Sequence, residues 1–286
     1  MIINARKISY IFSGVLVALS FLALGVWGLK LGIDFTGGSL MEVEYKTVRP
    51  SLDLPDVTVQ PAGERGLILR MPAIDEARHQ SILAELRKLG ELDEKQFTSI
   101  GPTIGAELKR NSLYAIVLVM IMIALYIAWA FREVSKPVQS WKYGVAALIA
   151  LIHDVSIPAG FFALLGYFYG VTVDTLFVTA LLTILGFSVH DTIVVFDRIR
   201  ENLKKLGAKE SFENVVEQSL RQTIGRSINT SLTVMIVMLA LYFFGGASTK
   251  FFALTILIGV FFGTYSSIFI ASPLLVTWHK WWVRHA

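Results

Sequence analysis

The sequence predicts a membrane protein: an all-α bundle of six transmembrane helices with a small α+β extracytoplasmic domain between helices 1 and 2. Two observations lead to this prediction. Apolar residues make up 54% of the 286-residue chain and charged residues only 17%, a composition typical of integral membrane proteins. Six apolar runs are also long enough to cross roughly 30 Å of hydrocarbon as helices, at residues 9–29, 112–131, 143–168, 173–196, 223–244 and 251–278.

The first apolar run begins after Arg6 and Lys7, as a secretory signal peptide would. It is longer than the apolar core of a signal peptide, and no small-x-small cleavage site follows it. We therefore interpret residues 1–29 as a retained first transmembrane helix.

Basic residues are distributed unevenly among the segments that connect the spans. Because short, positively charged loops stay in the cytoplasm, this distribution predicts that both termini are cytoplasmic. On the predicted outer side, the connection near residues 169–173 holds no basic residue and the one near 245–250 holds one. The predicted cytoplasmic segments are rich in basic residues: Arg6, Lys7, Arg132, Lys136, Lys142, many between 198 and 221, Lys280 and Arg284. This asymmetry accounts for the net charge of +4 without a nucleic-acid partner.

Residues 30–111 form the one connection long enough to fold by itself, and they lie outside by this topology. Alternation of apolar and polar residues predicts strands in LMEVEYKTV, DVTVQPAG, GLILRMP and QFTSIGPTIG, and helical periodicity marks DEARHQSILAELRKLG. The resulting β-β-β-α-β order fits an antiparallel sheet with a helix on one face. Its charges are mixed, so a role in contacting peptide or protein and a role as a passive cap both stay open.

Residues 112–286 are predicted to form helices 2–6 with short loops. Many transporters combine two similar halves around a site at the midplane. No internal repeat is visible here, so the pattern suggests that a second half lies on another chain. Gly259 and Gly263 form a GxxxG motif in the last span, followed by Ser266 and Ser267, which predicts close helix packing.

Ionisable residues occur inside three of the predicted spans. Asp191, preceded by His190, lies six residues before Asp197, roughly 9 Å inside the end of span four at 1.5 Å per residue. His153 and Asp154 lie roughly 16 Å into span three by the same rise. An ionisable residue at such depth is a functional candidate by default.

Arg226 begins span five, and Asn229 and Thr230 follow it at helical spacings that predict one shared face. Spans four and five are antiparallel neighbours, so we expect Asp191 and Arg226 to meet. A carboxylate whose charge is disfavoured by burial and favoured by a guanidinium can switch protonation as helices move. The pair therefore suggests a proton relay, although a static ion pair is an alternative, as is simple hydrogen bonding between helices for His153 and Asp154.

Six motifs occur in order along nearly the whole chain: LGIDFTGGSLMEVEY (31–45), IGPTIGAELKRNSLYA (100–115), HDV (153–155), GFSVHDTIVVFDRIREN (186–202), RSINTSL (226–232) and IGVFFGTYSSIFIASPLL (258–275). Together they resemble the motifs of the SecF family of protein-export subunits in the RND superfamily. That family usually has Asn before the span-four Asp, where this chain has His190.

The resemblance implies an accessory subunit of the Sec translocase in the bacterial cytoplasmic membrane. With SecD it would use the proton motive force to assist translocation. Its partners would be SecD, the SecYEG channel, the translocating preprotein and the lipid bilayer, with no nucleic acid. By position, Asp191 would carry the proton and Arg226 would be its electrostatic partner. Residues of possible relay or supporting role are His190, His153, Asp154, Thr192, Asn229 and Thr230.

Other functions stay open at this point: half of a small-molecule or lipid exporter of the same superfamily, or a scaffold that transports nothing. An enzyme is not expected, because the chain has no HExxH zinc motif and no cysteine. Zero cysteines also exclude disulfides and thiolate metal sites. No metal site and no cofactor are expected beyond the proton gradient as energy source, although Ser188 and Thr192 beside Asp191 leave sodium open. The glycines of GIDFTGGS are predicted to form a tight turn or a hinge rather than a phosphate-binding loop.

Overall fold

The computed structural model describes residues 2–50, 57–132, 138–206 and 209–285. Within these ranges, six helices are long and apolar enough to cross a membrane, which confirms the predicted fold class. Lys136 and Asp56, used above for the topology and for a strand, lie outside the described residues. The six candidate spans are Ile3–Val26, Pro102–Ala130, Ser140–Tyr169, Thr175–Leu206, Phe212–Phe244 and Thr249–Trp281.

The helices and strands are numbered in chain order. The helices are α1 (Arg6–Val26), α2 (Ile33–Thr36), α3 (Glu76–Lys88), α4 (Pro102–Ala130), α5 (Ser140–Tyr169), α6 (Thr175–Leu206), α7 (Phe212–Phe244), α8 (Ala247–Ser266) and α9 (Ser272–His285). A π-helix, Ser267–Ala271, joins α8 to α9. The strands are β1 (Gly38–Tyr45), β2 (Thr58–Ala62), β3 (Gly66–Met71) and β4 (Leu92–Ile100).

Most of the helices extend beyond the apolar runs that predicted them. Helix α6 continues to Leu206 through a charged stretch in which Arg198 and Lys205 both pair with Glu201. Pairs at spacings of three and four stabilise a helix from within. The charged residues from Asp197 to Glu201 therefore belong to this helix, although the apolar run that predicted it ends at residue 196.

Two compact units make up the chain: Met1–Leu29 with Ala115–Val171 and Leu176–Ala286, and Lys30–Tyr114 with Thr172–Thr175. The second unit holds an antiparallel sheet of strand order β2-β3-β1-β4. Helix α3 packs on it, and the predicted β-β-β-α-β order is confirmed. Their shared core comprises Met41, Val43, Tyr45, Leu67, Leu69, Met71, Ile82, Leu83, Leu86 and Leu92.

The segment Thr172–Thr175 joins this unit through backbone hydrogen bonds that the sequence did not reveal. Gly32 N–H donates to the Val173 carbonyl at 2.8 Å, and Val173 N–H donates to the Lys30 carbonyl at 2.8 Å. The Asp34 carboxylate accepts from Thr175 N–H at 2.9 Å. A four-residue segment between two apolar runs gives no sequence pattern from which such pairing could be predicted.

Gly37 and Gly38 form the tight turn predicted for GIDFTGGS. Their φ angles are 75° and 129°, a region that side chains disfavour. A Cβ at Gly37 would lie 2.7 Å from Pro102 Cα, and one at Gly38 would lie 2.8 Å from the Met71 carbonyl oxygen. Glycine is therefore required at both positions for backbone conformation and for space.

His79 makes the stability of the small domain depend on pH. The residue is 5% exposed, its ring stacks on Phe97 with centroids 3.8 Å apart, and its ring nitrogens contact Glu76 at 3.1 Å and Glu94 at 2.7 Å. Burial lowers the pKa of His79, but the hydrogen bonds and charges of Glu76 and Glu94 outweigh it, so the net shift is upward. A raised folded pKa means that protonated His79 stabilises the folded domain. This stabilisation is fully present below the unfolded pKa near 6.5, and it is lost as pH rises through the higher folded pKa.

We therefore expect the domain to be more readily cleaved in pulse proteolysis of the full chain at about pH 8.5 than at about pH 5.5. The same comparison on His79→Gln, which keeps a hydrogen-bonding amide but does not titrate, should show a much smaller pH dependence. Equal pH dependence in both proteins would contradict this role for His79.

Small residues allow close approach between helices of the membrane unit. A Cβ at Gly259 of α8 would lie 2.2 Å from the Ile184 side chain of α6, and one at Gly263 would lie 3.1 Å from Ser188 Cβ. The packing role predicted for the GxxxG motif is thus confirmed, and it brings α6 against the serines at the end of α8. In contrast, helices α4 and α7 bury only 6% and 11% of their apolar windows, so their surfaces face lipid or another protein.

The π-helix at Ser267–Ala271 lies just before Pro273, which has no N–H to donate to a carbonyl of the preceding turn. The Ser272 hydroxyl donates to the Ser267 carbonyl at 2.9 Å across the widened turn. Such single π turns often mark functional sites.

A buried acidic group fixes the N-terminal turn to α7. Glu217 is 5% exposed and accepts hydrogen bonds from the backbone N–H groups of Ile2 at 3.1 Å and Ile3 at 2.9 Å. One turn earlier, Glu213 pairs with Arg6 at 2.8 Å and with Lys280. These contacts join α1, α7 and α9 at one end of the bundle.

Candidate functional site

Asp191 lies in α6 with its carboxylate buried between three segments of the membrane unit. The residue is 7% exposed. Its Oδ1 accepts a hydrogen bond from the Ser227 hydroxyl of α7 at 2.5 Å, and its Oδ2 accepts one from the Ser267 hydroxyl at the start of the π-helix. Both oxygens are thus held by neutral donors, and no ion pair to this carboxylate occurs among the residues that the structure describes.

The expected contact between Asp191 and Arg226 is absent from the structure. Arg226 is exposed, and the next residue, Ser227, points to Asp191 instead. Consecutive residues of a helix differ by about 100° in direction, so only one of the two can face α6. The buried face of α7 carries Thr223, Ser227 and Ser231. Asn229 and Thr230 are exposed like Arg226.

Asp154 in α5 is the second buried carboxylate and is 0% exposed. Its Oδ1 contacts His153 Nδ1 at 2.8 Å, and its Oδ2 accepts from the hydroxyls of Ser188 at 2.5 Å and Ser266 at 2.7 Å. His153 is itself 3% exposed, and its ring lies against Tyr265 and Phe262 of α8 with centroids 6.0 Å apart in both cases. The other ring nitrogen, Nε2, is buried and has no hydrogen-bond partner within the described ranges.

The two carboxylates share their supporting elements. Ser188 and Asp191 lie three residues apart on α6, and Ser266 and Ser267 are consecutive at the junction of α8 and the π-helix. Of these groups, the sequence singled out both carboxylates and Ser188, but it gave no role to Ser227 and treated Ser266 and Ser267 as packing residues. The available signal was hydroxyl side chains at four-residue spacing in an apolar span, which predicts a buried polar face.

His190 and Thr192, the neighbours of Asp191 in sequence, take different positions. His190 is exposed, whereas Thr192 is 1% exposed and faces the interior. Across the part of the chain that is described, no group of three or more His, Cys, Asp or Glu residues is arranged to hold a metal ion.

Each serine beside the carboxylates has a choice of acceptor. Ser266 Oγ lies 2.7 Å from Asp154 Oδ2 and 3.0 Å from the Gly263 carbonyl, and Ser267 Oγ lies near Asp191 Oδ2 and 2.9 Å from the Thr264 carbonyl. A hydroxyl has a single proton to donate. A charged carboxylate attracts that proton more strongly than a peptide carbonyl does, so adding or removing a proton on either carboxyl group can redirect the serine.

A cavity of about 430 Å³ opens between α4, α6 and α7. Apolar residues such as Phe131 and Ile193 line one part, and charged residues including Arg198 and Arg226 line another. Buried Thr223 also lines it, four residues before Ser227 on the same face of α7. The cavity therefore reaches to within about one helical turn, roughly 5.4 Å, of Ser227, whose hydroxyl bonds to Asp191.

Comparison with known proteins gives two family matches. Residues 80–281 match the family described as "Protein export membrane protein SecD/SecF, C-terminal", and residues 23–47 match the "SecD/SecF GG Motif". The second match includes the glycine turn described above.

Relatives of similar length also match. The chain is 46% identical over 304 residues to the protein translocase subunit SecF of Thermobaculum terrenum, covering 98% of this chain and 94% of the relative. It is 39% identical over 293 residues to the corresponding subunit of Anaerolinea thermophila, with the same coverages.

The fold is similar to a crystal structure of SecDF from Thermus thermophilus, a translocon-associated membrane protein. The TM-score is 0.83 at 32% identity, and the match covers 97% of this chain. It covers only 38% of the SecDF chain, so this chain corresponds to a little over a third of that protein.

Proposed function

The chain belongs to the SecD/SecF family of protein-export membrane proteins, and on this premise we propose that it is a SecF subunit that couples the proton motive force to protein translocation. It does so with a SecD partner, beside the SecYEG channel and the translocating preprotein. The membrane is the bacterial cytoplasmic membrane, with both termini in the cytoplasm and residues 30–111 outside. The uneven distribution of basic residues supports this orientation.

One observation carries the proposal: Asp191 is buried and held only by hydroxyl groups among the described contacts. An ionised carboxylate loses several kcal/mol of hydration when it is buried without a cation. Two hydroxyl donors offset part of this cost. In our proposal, a change in these donors changes how strongly the carboxylate holds a proton.

Protons leave Asp191 through the cavity between α4, α6 and α7 in this proposal. Water in the cavity approaches Thr223, and the Ser227 hydroxyl forms the last link to Asp191. The cavity opens near the charged end of α6, which the proposed orientation places on the cytoplasmic side. We therefore assign it as the route of proton release.

Proton binding acts on the helices through Ser267. When Asp191 becomes neutral, the Ser267 hydroxyl returns to the Thr264 carbonyl, which changes the hydrogen bonding immediately before the π-helix. Moving one proton through about 100 mV supplies roughly 2.3 kcal/mol, enough to change the balance between two packings of this turn. The resulting motion is transmitted to the outer domain and thereby to the emerging polypeptide.

The exposed polar face of α7 is where we place the SecD partner. Helix α7 buries only 11% of its apolar window, and the SecDF chains of similar fold contain much sequence beyond the region matched here. Arg226, Asn229 and Thr230 are exposed on this helix, and we assign Asn229 and Thr230 to the partner side.

The proposal is tested with inverted membrane vesicles that contain this chain and its SecD partner beside the translocation channel. Completion of preprotein export is measured with an imposed pH gradient, with the gradient collapsed by a protonophore, and with a sodium gradient alone. We expect export to follow the pH gradient and to require this chain. Full export driven by the sodium gradient alone would assign sodium as the coupling ion. Export at the same rate with and without either gradient would identify the chain as a scaffold.

A further inference from the structure

His153 and Asp154 form a buried acid–base pair that the proposed role of Asp191 does not use. Asp154 has three hydrogen-bond donors at 2.8, 2.5 and 2.7 Å. The imidazole presents a second nitrogen, Nε2, that is buried without a partner in the described part of the chain. Unpaired buried polar atoms are uncommon in folded proteins and call for an explanation. Transient binding of a proton at this nitrogen is such an explanation.

We propose that His153 and Asp154 form a second proton-binding site, which takes up its proton at His153 Nε2 and is coupled to Asp191 through the serine pair Ser266 and Ser267. The proposal rests on the proposed function of Asp191 as the proton-carrying carboxylate. It adds a second protonatable carboxylate to the same membrane unit and names the residues that connect the two.

The proton transfer follows from the contact at 2.8 Å. A neutral imidazole that carries its hydrogen on Nδ1 donates it to Asp154 Oδ1. When a proton binds the lone pair of Nε2, the Nδ1 proton moves to Oδ1, leaving a neutral carboxylic acid and a neutral imidazole with its hydrogen on Nε2. The contact then persists in reverse, with Oδ1–H donating to Nδ1. One proton has entered, and the charge of Asp154 has been neutralised.

The serine pair connects this event to Asp191. Ser266 can donate to Asp154 or to the Gly263 carbonyl, and Ser267 can donate to Asp191 or to the Thr264 carbonyl. Because the two serines are consecutive and precede the π-helix, a change at either hydroxyl alters the same helical turn. Protonation of one carboxyl group therefore changes the donor available to the other.

The groups that face the pair are neutral among the contacts described. Phe262 and Tyr265 of α8 face the His153 ring, and Ser188 of α6 faces Asp154. The Tyr265 hydroxyl is engaged by α1, where it lies 3.2 Å from Ser13 Oγ and 3.4 Å from the Ser9 carbonyl. On the buried face of α6 the next titratable group is Asp191, three residues after Ser188, whereas His190 is exposed. With no cation at these contacts, neutralisation of Asp154 requires a proton.

A purely structural role makes a different prediction at His153. The side-chain amide nitrogen of Asn can take the place of Nδ1 and donate to Asp154, but Asn has no second nitrogen and does not titrate. If the pair only joins helices, His153→Asn should be tolerated. If the pair binds a proton, His153→Asn and Asp154→Asn should lower gradient-driven export by roughly 100-fold or more, as expected when a positioned proton-transfer group is lost.

The experiment compares His153→Asn, Asp154→Asn and Asp191→Asn in vesicles with the SecD partner, with Thr255→Val as the control. Thr255 is also buried in α8, and among the described contacts its hydroxyl bonds only within its own helix, to the Phe251 carbonyl. In parallel, infrared titration of each full-length protein in lipid follows the bands of protonated carboxyl groups. We expect Asp154→Asn to remove a band and His153→Asn to shift the pH midpoint of that band.

Ser266→Ala provides a second variant that keeps both titrating groups. We expect it to retain the Asp154 band, while the midpoint of that band no longer responds to Asp191→Asn. Normal export and an unshifted midpoint in His153→Asn, together with loss of export in Asp191→Asn, would overturn this inference and leave the proposed function in place. Normal export in Asp191→Asn would reject the proposed function, and the infrared titration would still show whether Asp154 binds a proton.

Discussion

Replacing Asp191 by Asn is expected to reduce gradient-driven export to the level measured without a gradient. The amide has nearly the same size and can still accept a hydrogen bond from Ser227 or Ser267, but it cannot bind and release a proton. Groups positioned for proton transfer contribute roughly 100-fold or more to the step they serve. We therefore expect a loss of about that size in the gradient-dependent rate, measured in vesicles at matched amounts of protein.

Glu210→Gln is a suitable control for this substitution, since it makes the same chemical change at an exposed carboxylate that contacts only Asn214 among the bonds described. It should leave both gradient-driven and gradient-independent export unchanged. Gradient-independent export should also persist in Asp191→Asn. If that part were lost as well, Asp191 would be required for folding or assembly, and unchanged gradient-driven export would exclude it from proton coupling.

The architecture was largely predictable because its signals are long and redundant. Each span has about twenty apolar residues, and the strands of the small domain alternate over several positions. What the sequence did not predict were the ends of the spans. Helix α6 passes beyond the apolar region because Arg198, Glu201 and Lys205 stabilise each other along one face, and hydropathy treats such residues as a loop.

The candidate site was predicted in part, and the reasons differ by residue. Asp191 and Asp154 are conspicuous because a carboxylate inside an apolar run is costly. Ser227, Ser266 and Ser267 were missed because a serine in a membrane helix is equally compatible with close packing. Arg226 was assigned to the wrong face of α7. It lies at a suitable depth along the helix, but the next residue, Ser227, points about 100° away from it and is the one that faces α6.

Glu217→Ala is the second substitution with a large expected effect, on stability rather than on coupling. The Glu217 carboxylate satisfies the backbone N–H groups of Ile2 and Ile3, the second of which belongs to a residue that is 0% exposed. Alanine would leave both donors without an acceptor, and each unsatisfied buried group costs about 1–3 kcal/mol. We expect the free energy of unfolding to fall by about 3 kcal/mol or more, measured by titration with denaturing detergent in mixed micelles.

Two neighbouring substitutions separate this hydrogen bonding from general electrostatics. Glu213→Ala removes a carboxylate that pairs with Arg6 and Lys280 and whose side chain is 22% exposed. Ion pairs with this access to solvent contribute about 0–1 kcal/mol, so its effect should be much smaller. Glu217→Gln keeps one carbonyl acceptor and should fall between the two. If Glu213→Ala and Glu217→Ala were equally destabilising, the net charge at this end of the bundle would be the stabilising factor, and the two backbone hydrogen bonds would add little to it.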